Sequence, residues 1–406
     1  MMKTTMIAAV LIVGQITLCG QVTNFVTNTV PRPPDLQKAY QKLNEIPPRY
    51  QWEHNGGYCG EVSLISAGLY YGQYLSQYDV RAIASPGMAQ NAQEKGTYTA
   101  QLMLGSNDKS AANALRLTHE RFDTDDSKDL LIWIKSHVVK GHPVFMGVFN
   151  NEYKLYNNKK PGAGDPEYDH IVPVVGWGSD YPLDDGRLHD DDVILISDNG
   201  LSTPYNTITP PIPPKGKVPY YFYYKLDHFL KDRAEANLPN GSMYSLLHLP
   251  KYQAGEDEKM RKDKQNYGLA ITGVEDEWHE TLPMRVSTSA NYEAPIIGSD
   301  SDARPASMPI SLAVQVSGLD ASKRYHVYHY ADENDVPRKH FNSKQKPWTV
   351  IRGTSGVWTT NVTIHSKQKA FFRAVEAPDG DNEQSEIPAE TPGQGDKGPS
   401  DASSLF

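Results

Sequence analysis

The chain has 406 residues, of which 38% are hydrophobic, and its formal net charge is −9. That length accommodates two or three domains, and that apolar content is ordinary for a globular protein with a buried core. The acidic balance gives no basic surface of the kind that binds nucleic acids or anionic membranes, so we expect neither as a partner.

The first twenty residues have the three parts of a secretory signal peptide. Lys3 gives the basic start, an apolar run extends from Met6 to Val13, and small residues surround Gly20. The run is shorter than the ~20 apolar residues that a membrane-spanning helix needs. We therefore expect a signal peptide over residues 1–20 and a secreted, extracellular protein. Cleavage would remove Cys19 and leave Cys59 without a disulfide partner in the chain.

A polar, proline-rich segment follows over residues 21–50, with one helix expected from Asp35 to Asn44. Two interpretations stay open at this point. If the segment is a short pro-segment that is removed on activation, the N-terminus of the active protein lies near Gln51. If it is only a lead-in that stays on the mature protein, the N-terminus lies at Gln21.

Residues 51–250 alternate between helix-like and strand-like patterns, which predicts a mixed α+β domain. The clearest elements are one amphipathic helix and three apolar strands: Asp129–Val139, Pro143–Phe149, Ile171–Trp177 and Asp192–Ser197.

The remainder of the chain predicts a second domain. Residues 251–266 are almost wholly polar and charged, as in a solvated linker. Seven short strand-like runs follow over residues 267–376 and predict an all-β sandwich of the immunoglobulin or fibronectin type. Such a domain commonly binds another protein or a glycan, so we expect one of these as its partner. Residues 377–406 read as a disordered acidic tail, and Asn240 and Asn361 begin glycosylation sequons, which predict a glycoprotein.

Cys59 lies where a helix is expected to begin. Two glycines and a tyrosine precede it, and Val62, Ile65 and Leu69 then recur at helical spacing. A helix N-terminus supplies partial positive charge and unpaired N–H groups, which favour the thiolate, the nucleophilic form of cysteine. The alternative is a cysteine that serves only as a small buried hydrophobic residue.

Two further segments offer partners for a cysteine nucleophile. His170 opens the apolar strand that ends in Gly-Trp-Gly, where a base would be held rigidly, and Asp198 and Asn199 follow the next apolar strand. A Cys–His pair needs a carboxylate or amide on the second ring nitrogen, and either Asp198 or Asn199 can supply it. Taken singly, His170 could be a core histidine and Asp198-Asn199-Gly200 a plain turn.

Three features, in this order along the chain, resemble the papain superfamily of cysteine peptidases. They are Tyr58-Cys59-Gly60-Glu61 at a helix start, His170 before a valine-rich strand, and Asp198 after the next strand. The pattern looks most like the branch of bacteriocin-processing peptidases, and it covers roughly residues 51–201. The resemblance implies a papain-like catalytic domain followed by the sandwich, with Cys59, His170 and Asp198 as the catalytic triad. It also implies Gln51 as an oxyanion donor together with the Cys59 N–H. Gln51 lies slightly farther upstream than is usual in that family, so His54 and Asn55 are alternatives.

No cofactor or metal is expected. The acidic connection between Ser179 and Asp192 does not have the spacing of an EF-hand loop. The sequence also has no HExxH or CxxC motif for zinc, and no GxSxG motif for a serine hydrolase.

Three functions are compatible with these residues. The first is a secreted thiol hydrolase, a peptidase or amidase that acts on a peptide or protein through an acyl-Cys59 intermediate. The second is an acyltransferase or transglutaminase-like enzyme that passes the same acyl group to an amine. The third is a catalytically inert secreted protein that binds a partner.

Overall fold

The computed structural model describes eleven stretches of the chain. These are residues 33–49, 51, 57–87, 101–150, 168, 170–199, 221–230, 244–246, 266–288, 307–343 and 345–378. The expected signal peptide, Asn240, all of the charged segment except Asn266, and the tail from residue 379 lie outside these stretches.

Strands predominate in the described residues, at 38% against 21% helix. The helices are α1 (Cys59–Tyr70), α2 (Gln77–Ala84), α3 (Asp108–Ala114), α4 (Ser127–Lys140) and α5 (Leu226–Phe229). The strands of the first half are β1 (Tyr40–Leu43), β2 (Gln73–Tyr74), β3 (Leu117–Thr124), β4 (Val144–Asn150), β5 (His170–Ser179), β6 (Val193–Ser197), β7 (Tyr221–Lys225) and β8 (Tyr244–Ser245). The later strands are β9 (Asn266–Val274), β10 (Met284–Ser287), β11 (Pro309–Val316), β12 (Arg324–Tyr330), β13 (Thr349–Arg352), β14 (Trp358–His365) and β15 (Ala370–Glu376).

These strands form three antiparallel sheets. The largest has eight strands in the order β3-β9-β4-β5-β6-β7, with β1 paired to β5 and β8 paired to β4. A three-stranded sheet has the order β10-β11-β14, and a four-stranded sheet has the order β13-β12-β15-β2. β5 lies inside the largest sheet and is buried along its whole length, in keeping with its run of β-branched residues.

Helix α1 is buried on nearly every side, since the ten residues from Gly60 to Leu69 are all buried. Its start is packed closely against the chain at Leu102. A Cβ at position 60 would lie 2.3 Å from the Leu102 carbonyl oxygen, so only glycine fits there. The beginning of α1 is therefore held in a fixed position.

The expected fold class is wrong. We expected an α+β papain-like domain followed by an all-β sandwich, but the described chain is mostly antiparallel β-sheet with few helices. Individual elements were predicted well, including α4, β4, β5 and β6. The error lies in how the elements assemble, because a period-2 apolar pattern fits any buried sheet and does not say which strands pair.

Strands pair across the expected domain boundary at residues 251–266. β9, which we expected to open the C-terminal domain, lies between β3 and β4 of the first sheet. In the other direction, β2 from the first half pairs with β15. One cluster of buried side chains includes residues of α1 and β9 together with residues of β11, β12 and β15. The two halves thus share strands and a core.

The segment before Cys59 is part of the fold. A helix was expected over Asp35–Asn44, but Tyr40–Leu43 form strand β1, which pairs with Gly176–Ser179 of β5. β4 pairs with β5 only over His170–Val174. β1 therefore pairs with the rest of the same edge of β5, which β4 does not reach. This pairing with the edge of β5 overrides the local helical pattern.

We therefore expect the stable protein to retain residues 36–51. A truncated chain that begins at Gln51 should unfold at a markedly lower temperature, because it loses β1 and the buried side chains of Leu36 and Ile46. Removal of residues 382–406 is the control truncation and should leave the melting temperature unchanged. An active protein whose N-terminal sequence begins at Gln51 would contradict this and restore the pro-segment interpretation.

Candidate active site

Cys59 is the first residue of α1, and its side chain is partly exposed. The preceding Tyr58 provides no side-chain cap for the helix. The first N–H groups of α1 therefore keep their partial positive charge at the position of the thiol. Cys59 is the one cysteine among the described residues.

Gln51 lies beside the turn that leads into Cys59. Its side-chain Oε1 accepts a hydrogen bond from the Tyr58 backbone N–H at 2.8 Å. The backbone N–H of Gln51 donates to the Asn199 carbonyl oxygen at 2.6 Å. The first contact uses the amide oxygen, so Nε2 is the end of the side chain that serves as a donor. Gly57 makes this arrangement possible: it has a φ of +86°, and a Cβ there would lie 2.7 Å from Oε1 of Gln51.

A buried ion pair between Arg81 and Glu61 also contacts the turn that leads into Cys59. Arg81 of α2 is fully buried and donates from Nε to Oε1 of Glu61, and from Nη2 to the Gly57 carbonyl oxygen. Its guanidinium carbon lies 3.8 Å from the centroid of the Tyr58 ring, a cation–π contact. Burial raises the pKa of the Glu61 carboxyl, and the adjacent Arg81 acts against that shift. The Leu102 N–H donates to the same carboxylate at 3.0 Å.

His170 and Asp198 are brought together by strand pairing. His170 is the first residue of β5, and Asp198 follows the last residue of β6. Because β5 and β6 are antiparallel neighbours, the start of one lies beside the end of the other. Nε2 of His170 lies 3.2 Å from Oδ1 of Asp198, and both residues are buried.

The His170 ring also interacts with Cys59. Burial alone would lower the pKa of His170, but hydrogen bonds with Asp198 and Cys59 outweigh burial and raise it to about 10. Since Nε2 faces Asp198, Nδ1 is the ring nitrogen that remains for the sulfur. An imidazolium between a carboxylate and a cysteine stabilises negative charge on the sulfur.

The sequence left open whether Asp198 or Asn199 is the partner of His170, and Asn199 has a different role. Its Nδ2 lies 3.0 Å from the Cys59 carbonyl oxygen, 3.0 Å from Oγ of Ser63 and 3.2 Å from the Ile171 carbonyl oxygen. These contacts tie the first turn of α1 to β5. Asp198 is therefore the partner of His170, and Asn199 fixes the position of the helix that carries the cysteine.

Tyr244 completes the site and was missed by sequence reasoning. Its hydroxyl donates to Oδ2 of Asp198 at 2.6 Å, and its ring centroid lies 5.5 Å from that of His170. It lies in the two-residue strand β8, which pairs with Phe149 and Asn150 of β4. A strand this short has no period for a sequence pattern to reveal.

The structure thus places Cys59, His170, Asp198 and Gln51 around one site. His54 and Asn55, the alternatives to Gln51, lie outside the described residues. Within the described part of the chain, no group of three or more His, Cys, Asp and Glu side chains could hold a metal ion.

Comparison with family models, with curated proteins and with solved structures finds no match for this chain. Among the described residues, no helix has the length and apolar character needed to cross a membrane.

Proposed function

We propose that this protein is a secreted thiol hydrolase that cleaves amide bonds in peptides or proteins. The observation that carries the proposal is the position of His170, whose ring interacts with the Asp198 carboxylate on one side and with Cys59 on the other. A cysteine at a helix start beside an oriented histidine is the arrangement that activates a thiol for attack on an acyl carbon. The amide substrate is suggested by the resemblance of these residues to those of cysteine peptidases.

In the acylation step, the Cys59 sulfur attacks the carbonyl carbon and the oxygen becomes an oxyanion. Nε2 of Gln51 and the N–H of Cys59 donate to that oxygen. His170 then gives its proton to the leaving nitrogen, the C–N bond breaks, and an acyl-Cys59 thioester remains.

In the deacylation step, His170 acts as a base. It takes a proton from a water molecule that attacks the thioester carbon, the C–S bond breaks, and the acid product leaves. Asp198 keeps Nε2 of His170 engaged in both steps, so the ring presents the same nitrogen to sulfur and water.

Thiol alkylation across pH tests the proposal. A free thiol has a pKa of about 8.5, so its alkylation rate falls about tenfold for each pH unit below that value. Because the His170 ring lies beside the sulfur, wild-type Cys59 should react with iodoacetamide at pH ~5.5 faster than a free thiol does. Mass spectrometry of the Cys59 peptide measures both rates.

The His170→Ala variant is the decisive comparison. At pH ~5.5 it should react at least about tenfold more slowly than wild type, after allowing for the weaker nucleophilicity of a stabilised thiolate. His365→Ala, an exposed histidine at the end of β14, is the matched control. A wild-type rate at pH ~5.5 no faster than that of His170→Ala would contradict the proposed site.

Tyr244→Phe should weaken the site without abolishing it. Asp198 loses a charge-assisted hydrogen bond and keeps a buried oxygen without that donor, so we expect kcat/KM for a cleaved peptide to fall about 10- to 100-fold. Tyr223→Phe, a half-buried tyrosine of β7, is the control and should be nearly neutral. Equal activity of the two variants would show that Tyr244 does not position Asp198.

Export is part of the proposal and is supported by the residues around Lys3, Met6–Val13 and Gly20. N-terminal sequencing of the protein recovered from the growth medium should give Gln21 as the first residue. An intact Met1 on the recovered protein would contradict cleavage.

A further inference from the structure

Trp278 is an exposed tryptophan in the connection between β9 and β10. It is 53% exposed, whereas the other four tryptophans that the structure describes are buried or half-buried. A single exposed aromatic side chain is common on protein surfaces and needs no function of its own. What distinguishes Trp278 is the way in which the chain around it is held.

The turn that carries Trp278 is closed by one carboxylate. Asp276 accepts from the Trp278 N–H at 3.3 Å, from the Thr281 N–H at 2.6 Å and from the Thr281 hydroxyl at 2.8 Å. Burial alone would raise the pKa of Asp276, but these hydrogen bonds outweigh burial and lower it. The carboxylate is therefore ionised at neutral pH, and it fixes the backbone of the turn.

A second segment, distant in sequence, is joined to this turn. The Glu277 N–H donates to the Arg338 carbonyl oxygen at 2.8 Å, and the His340 N–H donates to Oε2 of Glu280 at 2.8 Å. Nζ of Lys339 also donates to Oε2 of Glu277 at 2.7 Å. The two segments thus form one surface around the indole ring of Trp278.

Two histidines of this surface have a strained backbone. His279 has a φ of +55° and His340 a φ of +57°, in the left-handed region that is costly for residues other than glycine. The His340 ring nevertheless packs edge-to-face on Trp278, with 3.9 Å between the ring centroids. Strain of this kind is kept where the surrounding structure enforces it, and such positions cluster at binding sites.

The groups around the exposed indole are polar and carry both signs of charge. The exposed residues are Glu277, His279, Arg338, Lys339 and His340, and Nζ of Lys339 lies 5.9 Å from the centroid of the Trp278 ring. A stable protein interface buries about 800 Å² per partner around an apolar core, and this surface offers one apolar ring. A nucleic acid needs a basic groove, whereas acidic and basic groups alternate here.

One apolar ring with a polar border matches a sugar. The C–H face of a pyranose has about the size of an aromatic ring, and its electropositive hydrogens are attracted to the negative face of an indole. The hydroxyl groups at the edge of the sugar both donate and accept hydrogen bonds. We propose that this surface binds an oligosaccharide of pyranose units, with one sugar ring stacked on Trp278. The carboxylate of Glu277 accepts from its hydroxyls, and Lys339 and His340 donate to them.

Isothermal titration of the full-length protein with matched probes tests this site. Cellotetraose and chitotetraose, which consist of pyranose units with an apolar face, should each bind saturably. An inulin-type tetrasaccharide of fructofuranose units has as many hydroxyls but no such face, so it should bind at least about tenfold more weakly. Tighter binding of chitotetraose would add recognition of the acetamido group, and tighter binding of cellotetraose would exclude it. Either order supports the site.

An NMR titration locates the bound sugar. The chain has six tryptophans, and the indole N–H signal of Trp278 is the one that disappears in Trp278→Ala. Cellotetraose should shift this signal along the same saturation curve that calorimetry gives. A saturable shift of the other indole signals alone would place the sugar elsewhere and contradict the proposal.

Trp278→Ala should weaken binding of cellotetraose at least about tenfold, because it removes the stacking surface. Its melting temperature should stay close to that of wild type, since the side chain is exposed. Tyr181→Ala is the matched control, because Tyr181 is 50% exposed and its ring also packs on a histidine, His189. This variant should bind as wild type does.

His340→Gly approaches the same site through the backbone. A positive φ suits glycine, so this variant should melt no lower than wild type. It should nevertheless bind cellotetraose about 3- to 10-fold more weakly, because it removes a ring that supports the indole and a donor at its border. Gln37→Gly is the matched control, because Gln37 is exposed and has a φ of +57°, and it should leave binding unchanged.

The inference is overturned if neither cellotetraose nor chitotetraose binds saturably to the wild type. Equal affinity for the fructofuranose probe, or wild-type affinity in a folded Trp278→Ala, would also overturn it. If Trp278→Ala does not fold, His340→Gly and the fructofuranose comparison decide. The proposal does not rest on the thiol hydrolase: sugar binding should persist in Cys59→Ala, so failure of the cysteine chemistry and failure of the sugar site are separate results.

Discussion

Cys59→Ser should lower the kcat for peptide cleavage by about 10⁴-fold or more, because it replaces the attacking thiolate with a hydroxyl that His170 is not poised to activate. His170→Ala should lower it by a similar factor. Since the two residues act as a unit, the double variant should be little worse than either single variant. The measurement is steady-state hydrolysis of a fluorogenic peptide library, with single-turnover detection of the acyl-enzyme by intact mass.

Ser63→Ala is the matched control for these kinetics. Oγ of Ser63 donates to the Cys59 carbonyl oxygen at 2.7 Å, so it contacts the same helix turn without facing the reaction. It should cost far less activity than Cys59→Ser. Hydrolysis that persists in Cys59→Ser would refute the proposed chemistry, and wild-type protein that only acylates added amines would assign the acyl group to transfer.

The second large effect is expected when the ion pair between Arg81 and Glu61, next to the turn that leads into Cys59, is broken. Arg81→Met leaves the Glu61 carboxyl buried without its cationic partner, and breaking a buried pair in this way typically costs about 3–5 kcal/mol. The same change removes the donor to the Gly57 carbonyl oxygen. We therefore expect a loss in the free energy of unfolding of that size, measured by urea denaturation, and a slower alkylation of Cys59 in the folded fraction.

A double variant separates charge from packing. Glu61→Gln combined with Arg81→Met removes both charges but keeps an acceptor for the Leu102 N–H, so it should regain part of the lost stability. Arg338→Met is the control, because Arg338 is 53% exposed and pairs with Glu275 at the surface. A loss below about 1 kcal/mol in Arg81→Met would show that the pair is no stronger than a surface salt bridge.

The candidate site could be predicted largely because its residues lie at element ends. Cys59 precedes a helical run, His170 begins an apolar strand and Asp198 follows the next one, and each position is visible from local periodicity. Gln51 was found only through a resemblance. Tyr244 gave no signal, because its role depends on where a two-residue strand pairs.

Hydrophobic periodicity, read along the sequence, determined most element positions, including α4, β5 and the seven strands from β9 to β15. It did so because helix and strand periods are local properties of the chain. Only the tertiary structure decided that β9 joins the first sheet and that β2 joins β15. Pairing partners far apart in sequence are chosen by shared burial and sheet edges, which no local pattern encodes. The burial of Arg81 beside Glu61 follows from the same long-range packing.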